Sequence, residues 1–175
     1  MLKTRIMDRD EIEDAIEALA VRLNRDLAGR DPVFICILKG AVYFFTALTA
    51  RLEHSVVLDF IQVSSYGKTT ESSGSVTLVK DITVDISGRD VYVVDDIVDS
   101  GLTLSDVLAL LDARRPRSLQ VVTLLDKPSR RRCSIEVAYV GREIEDRFVV
   151  GFGLDFDERY RNLPEIWEFE PDREE

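Results

Sequence analysis

The sequence predicts an α/β fold built on a doubly wound, mostly parallel sheet flanked by helices. Three observations carry that expectation. Apolar, β-branched runs such as VFICIL from Val33, DVYVV from Asp90 and LQVVTLL from Leu119 read as strands covered on both faces. Segments between them place apolar residues at helical spacing, so strands and helices alternate. The runs also end in polar turns, at Lys39-Gly40, Asp95-Asp96 and Asp126-Lys127. Open parallel sheets gather their ligands beyond the carboxyl ends of the strands, and these turns would meet there.

The elements follow in order. MDRDEIEDAIEALAVRLNRDLAGRDP places Ile12, Ile16, Leu19, Leu23 and Leu27 along one helical stripe, with Gly29 and Pro32 as stop signals. The strand VFICIL comes next, then Lys39-Gly40 and a second apolar helix around Ala41 to Leu52. Val56 to Ser65 reads as a long strand and Val76 to Val79 as its return partner. Between them SYGKTTESSGS is rich in Gly, Ser and Thr. Its length predicts a mobile lid over about 65–75, with a solvated hairpin loop as the plainer alternative. DVYVV is followed by a helix with Leu104, Val107, Leu108 and Leu111 on one face, ended by Pro116. LQVVTLL, IEVAYVG and FVVGFG complete the set as further strands. No internal repeat, low-complexity tract or interdomain linker interrupts the chain, so residues 1–175 are expected to form a single domain.

Composition narrows the function. With 175 residues, 45% hydrophobic and 32% charged, the chain suits a globular domain with a sizeable core. A net charge of -10 argues against diffuse binding to nucleic acid, which needs a basic surface. Cys36 lies in VFICIL and reads as a buried, inert thiol; Cys133 offers no CxxC partner. The single histidine, His54, lies in the polar stretch RLEHS and is expected to face solvent. Hydrolases built on Ser/His/Asp or Cys/His, and zinc sites, are therefore disfavoured. No charged-then-apolar leader opens the chain, and apolar stretches such as AVYFFTALTA fall short of a membrane span. A reduced, cytoplasmic protein is expected.

VVDDIVDSGLT, Val93 to Thr103, carries the chemistry. In DSGLT a glycine lets backbone N–H groups converge at a helix start, and Ser100 and Thr103 add hydroxyls, which suits a phosphate. The plainer alternative is an N-cap by Asp99 or Ser100. Asp95 and Asp96 at a strand end could accept from vicinal hydroxyls or hold a divalent cation. Acids beside a phosphate cradle imply a sugar phosphate. GFGLDF lacks the third glycine of a dinucleotide fingerprint, and there is no GxxxxGK[ST] P-loop.

VVDDIVDSGLT resembles the signature of the type I phosphoribosyltransferases, which bind 5-phosphoribosyl-1-pyrophosphate. ILKGA at Ile37, SSYG at Ser64, LLDKPSRR at Leu124 and FVVGFGLDFDERYRNLP at Phe148 extend the likeness over nearly the whole chain and narrow it to the hypoxanthine-guanine branch. The resemblance implies purine salvage: magnesium-dependent transfer of phosphoribosyl to hypoxanthine, guanine or both, giving IMP or GMP and pyrophosphate. It implies that Asp95 and Asp96 contact the ribose hydroxyls and the metal side. The 5′-phosphate would lie on Asp99, Ser100, Gly101, Leu102 and Thr103, with Asp99 beside purine N7 as the catalytic proton acceptor. Leu38, Lys39 and Gly40 would hold pyrophosphate on a cis non-proline turn, with Arg161, while Asp155 helps to hold Mg2+. Lys127 would meet the purine 6-oxo group, Phe148 would stack on the ring, and Val149 would read its edge through the backbone. Ser65 and Tyr66 match the family's lid, and the terminal segments would form a small hood. Homo-oligomers, dimers or tetramers, are expected from the relatives.

Departures are modest: Asp95 stands where many relatives carry glutamate, Leu102 replaces a polar residue, and the tail after Pro164 diverges. Two other functions compete. A response-regulator receiver also has paired acids at a strand end, but nearer the chain start. A nucleic-acid-binding regulator on the same fold is opposed by the acidic total and by Asp99 and Lys127.

Overall fold

The computed structural model describes residues 1–65 and 76–171. The elements are β1 (Leu2–Met7), α1 (Arg9–Asp26), β2 (Pro32–Leu38), α2 (Val42–Thr49), β3 (Val57–Ser65), β4 (Val76–Lys80), β5 (Asp90–Val98), α3 (Leu102–Asp112), β6 (Ser118–Asp126), a short 3-10 turn (Pro128–Arg130), β7 (Tyr139–Glu143), β8 (Val149–Val150) and β9 (Ile166–Phe169).

A six-stranded sheet runs in the order β4-β3-β2-β5-β6-β7. Only the β3–β4 pairing is antiparallel; β2, β3, β5, β6 and β7 run parallel. From β2 the chain steps outward to β3, and from β5 it steps the other way to β6. The order therefore reverses between β2 and β5, which is the switch point where such sheets open a crevice.

Alternation along the strands feeds two cores. Phe34 and Cys36 of β2, Tyr92 and Val94 of β5, and Val122 and Leu124 of β6 pack with Ile12, Ile16, Leu19 and Leu23 of α1 and Phe44, Phe45 and Leu48 of α2. Val33, Ile35 and Ile37, with Val91, Val93 and Val121, face the other way onto Leu104, Val107 and Leu111 of α3. Helix α1 opens on a reciprocal cap: Glu11 N–H donates to Asp8 Oδ1 at 2.9 Å and Asp8 N–H donates to Glu11 Oε2 at 3.0 Å.

The predicted fold class stands, with local corrections. FVVGFG is no strand of the main sheet. Only Val149–Val150 pairs, with β9, in a separate sheet ordered β1-β9-β8. That small sheet joins the two terminal segments, and it absorbs the divergent tail through β9. IEVAYVG is strand only from Tyr139, where it can pair with Val122 of β6. His54 does not project freely into solvent: it is half-buried, with Nε2 2.9 Å from the Asn24 carbonyl. Cys36 is fully buried, and burial, with the Asp95 and Asp96 charges adding to it, pushes its thiol up to about 12. The expected lid lies outside the described residues, apart from Ser65 at the end of β3.

Candidate active site

The crevice exists because β5 outruns β2. On the β2 side the last paired residue of β5 is Val94, opposite Cys36. On the β6 side pairing continues through Asp95, opposite Thr123, to Val98, opposite Asp126. Asp95 and Asp96 therefore stand inside the strand, not beyond it, along an edge that β2 has left open. This corrects the expectation of acids in a turn.

Strand alternation then separates the two carboxylates. Asp95, on the α3 side, lines a cavity of about 140 Å³ with Ile97, Val98, Asp99, Ser100, Gly101, Thr103 and Leu104. Asp96, on the α2 side, lies under the Lys39-Gly40 turn, where a Cβ on Gly40 would overlap its carboxylate. Each acid accepts the next backbone N–H: Asp96 N to Asp95 Oδ1 at 3.0 Å and Ile97 N to Asp96 Oδ1 at 2.9 Å. Burial raises both carboxyls above the ordinary aspartate value, and the neighbouring Asp96 charge adds to the rise at Asp95. Protein cations do not neutralise this pair fully.

The cavity wall is the start of α3. Its N-cap is Gly101, at φ +81°, which has no side chain to cap the helix. The N-cap position falls to Gly101 and not to Asp99 or Ser100, although Ser100 Oγ accepts the Leu102 N–H at 3.4 Å from just outside the helix. A left-handed residue suits glycine, and Gly101, Thr103 and Leu104 of this first turn line the cavity. Leu102 is 49% exposed and turns away from it, so a polar residue there is not needed for the cradle.

Asp99 meets two cations. Lys127 Nζ lies 3.6 Å from its Oδ2 and Arg130 Nε donates to its Oδ1 at 3.2 Å. Lys127 follows β6 and is only 4% exposed. An ammonium so buried, with a carboxylate at that distance, has donor capacity to spare for a ligand. Phe148 precedes β8 and is 49% exposed, its ring edge-on to Phe156 at 5.9 Å. The ordinary-core alternative for Phe148 therefore fails, and the ring offers a face. Val149 beside it is buried and pairs with Glu168 of β9.

At the other end, the Leu38–Lys39 peptide is cis, as the resemblance implied. Gly153 seals this turn: a Cβ there would overlap the Gly40 carbonyl oxygen. Arg161 Nη1 donates to the Gly153 carbonyl at 2.8 Å and Nη2 pairs with Asp155 Oδ1 at 2.9 Å, while its buried Nε has no partner. Lys39 Nζ pairs with Glu158 Oε2 at 2.8 Å.

These are the parts of one elongated site, and the whole chain matches known proteins. A family model described as phosphoribosyl transferase domain matches residues 4–157. The chain belongs to the phosphoribosyltransferase family. The hypoxanthine-guanine phosphoribosyltransferase of Staphylococcus aureus strain N315 is 42% identical over 98% of this chain and 96% of its own length. The bifunctional protein TilS/HprT of Listeria monocytogenes serotype 4b is 45% identical over 95% of this chain, which spans only 26% of that longer protein. A crystal structure of the Staphylococcus aureus hypoxanthine phosphoribosyltransferase superposes with a TM-score of 0.93, at 42% identity, covering 97% of this chain and 92% of that one. A Bacillus anthracis hypoxanthine-guanine phosphoribosyltransferase with HEPES in its active site gives 0.92 at 41% identity, covering 97% and 99%. Membership excludes the receiver reading.

Within this member of the phosphoribosyltransferase family the donor set suits a hard cation brought in with substrate. Among the described residues no three His, Cys, Asp or Glu side chains converge as a protein cage. Mg2+ commonly takes one or two carboxylates together with substrate phosphates and water, and Asp95 and Asp96 could supply the carboxylates. Both oxygens of Asp155 are already engaged, Oδ1 by Arg161 and Oδ2 by the Glu158 N–H at 2.9 Å.

Sequence reasoning passed over Gly153, Glu158 and Arg131. Arg131 binds the Asp126 carboxylate and reaches the Asp99 carbonyl at 3.4 Å, tying the cavity turn to the end of β6. The basic run after Pro128 was its only signal. Among the described residues, no helix is long and apolar enough to cross a membrane.

Proposed function

We propose that the protein transfers the 5-phosphoribosyl group from 5-phosphoribosyl-1-pyrophosphate to hypoxanthine and guanine, giving IMP or GMP and pyrophosphate, in purine salvage. One observation carries the reading: the acid pair on the open edge of β5 lies between the Lys39-Gly40 turn and the cavity at the start of α3. Asp99 and Lys127 face each other 3.6 Å apart beside it. A ribose with anionic groups at both ends suits that spacing of acids, amides and cations.

The cavity amides of residues 99–103 would hold the 5′-phosphate, and Asp95 and Asp96 the ribose hydroxyls. The Leu38-Lys39-Gly40 turn and Arg161 would hold pyrophosphate. Phe148 would stack on the purine, the Val149 backbone would meet its edge, and Lys127 would donate to the 6-oxo group. As the bond from ribose C1 to the pyrophosphate oxygen breaks, purine N9 bonds to C1 and pyrophosphate leaves with the electron pair. The N7 proton passes to Asp99. Asp95 and Asp96, with Asp155 in support, would hold Mg2+ brought in with the substrate, and the ion would supply charge stabilisation for the leaving group. Oriented donors at the Lys39 turn favour the same separation of charge.

We read residues 1–175 as one phosphoribosyltransferase domain, cytoplasmic and homo-oligomeric. Incubation with Mg2+, 5-phosphoribosyl-1-pyrophosphate and each purine base tests the activity by nucleotide formation. IMP and GMP are expected; no nucleotide from any 6-oxopurine would overturn it.

A further inference from the structure

The cations at the Lys39 end of the crevice already hold an anion of the chain's own. Glu158 Oε2 accepts from Lys39 Nζ at 2.8 Å, and its Oε1 lies 3.4 Å from Arg161 Nη2. One carboxylate thus bridges Arg161 and the side chain of Lys39, which stands on the turn assigned above, with Arg161, to pyrophosphate. Glu158 is exposed, and its carboxyl lies below the ordinary glutamate value, chiefly through the Lys39 hydrogen bond.

The backbone presents this carboxylate on purpose-built geometry. Glu158 has φ +61°, within a run that also holds Asp157 at +52° and Tyr160 at +73°. Left-handed conformations are costly for residues with a Cβ, and the loop is held by the Glu158 N–H to Asp155 Oδ2 bond and by paired Phe156–Arg159 backbone bonds at 3.1 and 3.2 Å. Asp155 fixes the loop from below while pairing with Arg161, so Glu158 and Asp155 share that guanidinium.

We propose that Glu158 is an internal counter-anion of the pyrophosphate subsite: it bridges Lys39 and Arg161 when the subsite is empty, and pyrophosphate must displace it. This rests on the function proposed above. Its consequence is an affinity set below what the two cations could give. A weaker hold on pyrophosphate favours product departure, since the leaving group is replaced by a carboxylate that is always at hand. Exposed ion pairs are weak, so displacement is feasible at ordinary ligand concentrations.

The test is calorimetric titration of magnesium pyrophosphate into the wild type, Glu158→Gln and Asp157→Asn. Glu158→Gln is expected to tighten binding by about twofold to tenfold, the scale of two exposed ion pairs that no longer compete. Asp157→Asn removes the same charge next door and should change binding by less than about half that factor. In a Lys39→Met background the gain from Glu158→Gln should shrink, because the principal competing pair is gone. Equal or weaker binding by Glu158→Gln, with the wild type binding normally, would overturn the counter-anion role and leave the proposed function intact. Equal tightening by Asp157→Asn would also overturn it, as general charge. Failure of the wild type to bind pyrophosphate would sink both.

Discussion

Gly40 and Asp96 touch so closely that no side chain can be added at Gly40 without displacing the Asp96 carboxylate. The contact links the turn after β2 to the acid on β5, and Gly153 packs against the Gly40 carbonyl of the same turn. Gly40→Ala is therefore expected to cost about 1–3 kcal/mol through overpacking. It should also lower kcat/KM for 5-phosphoribosyl-1-pyrophosphate by about 10²-fold, the scale of a 1 Å misplacement. Thermal melts and steady-state kinetics check both; unchanged kinetics would show that the turn's position is not critical.

Asp99→Asn keeps an oxygen for the Arg130 Nε bond at 3.2 Å and removes the carboxylate proposed as proton acceptor. Fold and 5-phosphoribosyl-1-pyrophosphate binding should persist while transfer slows by about 10²–10⁴-fold. Single-turnover rates decide it. Near wild-type turnover would take Asp99 out of the mechanism.

Lys127 offers only donors and is buried, so it suits a carbonyl oxygen at purine C6 and not the amino group of adenine. Sites built around such a bond discriminate by about 10⁴-fold or more. Lys127→Met should lower kcat/KM for hypoxanthine and guanine sharply and leave a poor value for adenine little changed. Competition among the three bases measures it, and comparable use of adenine by the wild type would remove the assignment.

Asp90 anchors the opposite end of the sheet. It is 1% exposed, and it accepts from Arg117 through both oxygens, from Ser118 Oγ at 2.7 Å and from Arg30 at 3.3 Å. The Arg117 hydrogen bond, chiefly, holds its carboxyl far below the ordinary value. A depressed folded-state pKa means that the unfolded chain takes up the proton first. The stabilisation is complete above the unfolded value of about 4 and drains away as pH falls below it. Asp90→Asn should cost about 2 kcal/mol at pH 7, with a difference from wild type that narrows toward pH 3. A pH series of urea melts reads it; a constant difference would mean that charge is not the cause.

Much of the architecture was legible because burial leaves a pattern. Val33 to Ile37 must face apolar neighbours on both sides, and α1 shows its buried stripe at every expected position. β1 left no such trace: most of it is exposed, and it carries Lys3 and Arg5. β9 is a four-residue strand whose partners lie at the other end of the chain and at β8. Nothing local specifies such pairing.

The sequence by itself determined which residue types cluster at the strand ends, since a strand's carboxyl end and the turn after it are local properties. It thus placed Asp95, Asp96, Asp99, Lys39 and Lys127 in one region. Only the tertiary structure decided how they divide the work of that region. β5 extends past its pairing with β2 and stays paired with β6, so Asp95 turns to the α3 cavity and Asp96 to the Gly40 turn. Glu158 reaches Lys39 across 119 residues of chain, and Arg131 reaches back to Asp99. These relations depend on the relative lengths of neighbouring strands and on contacts between distant segments, and neither is encoded in the spacing of any single motif.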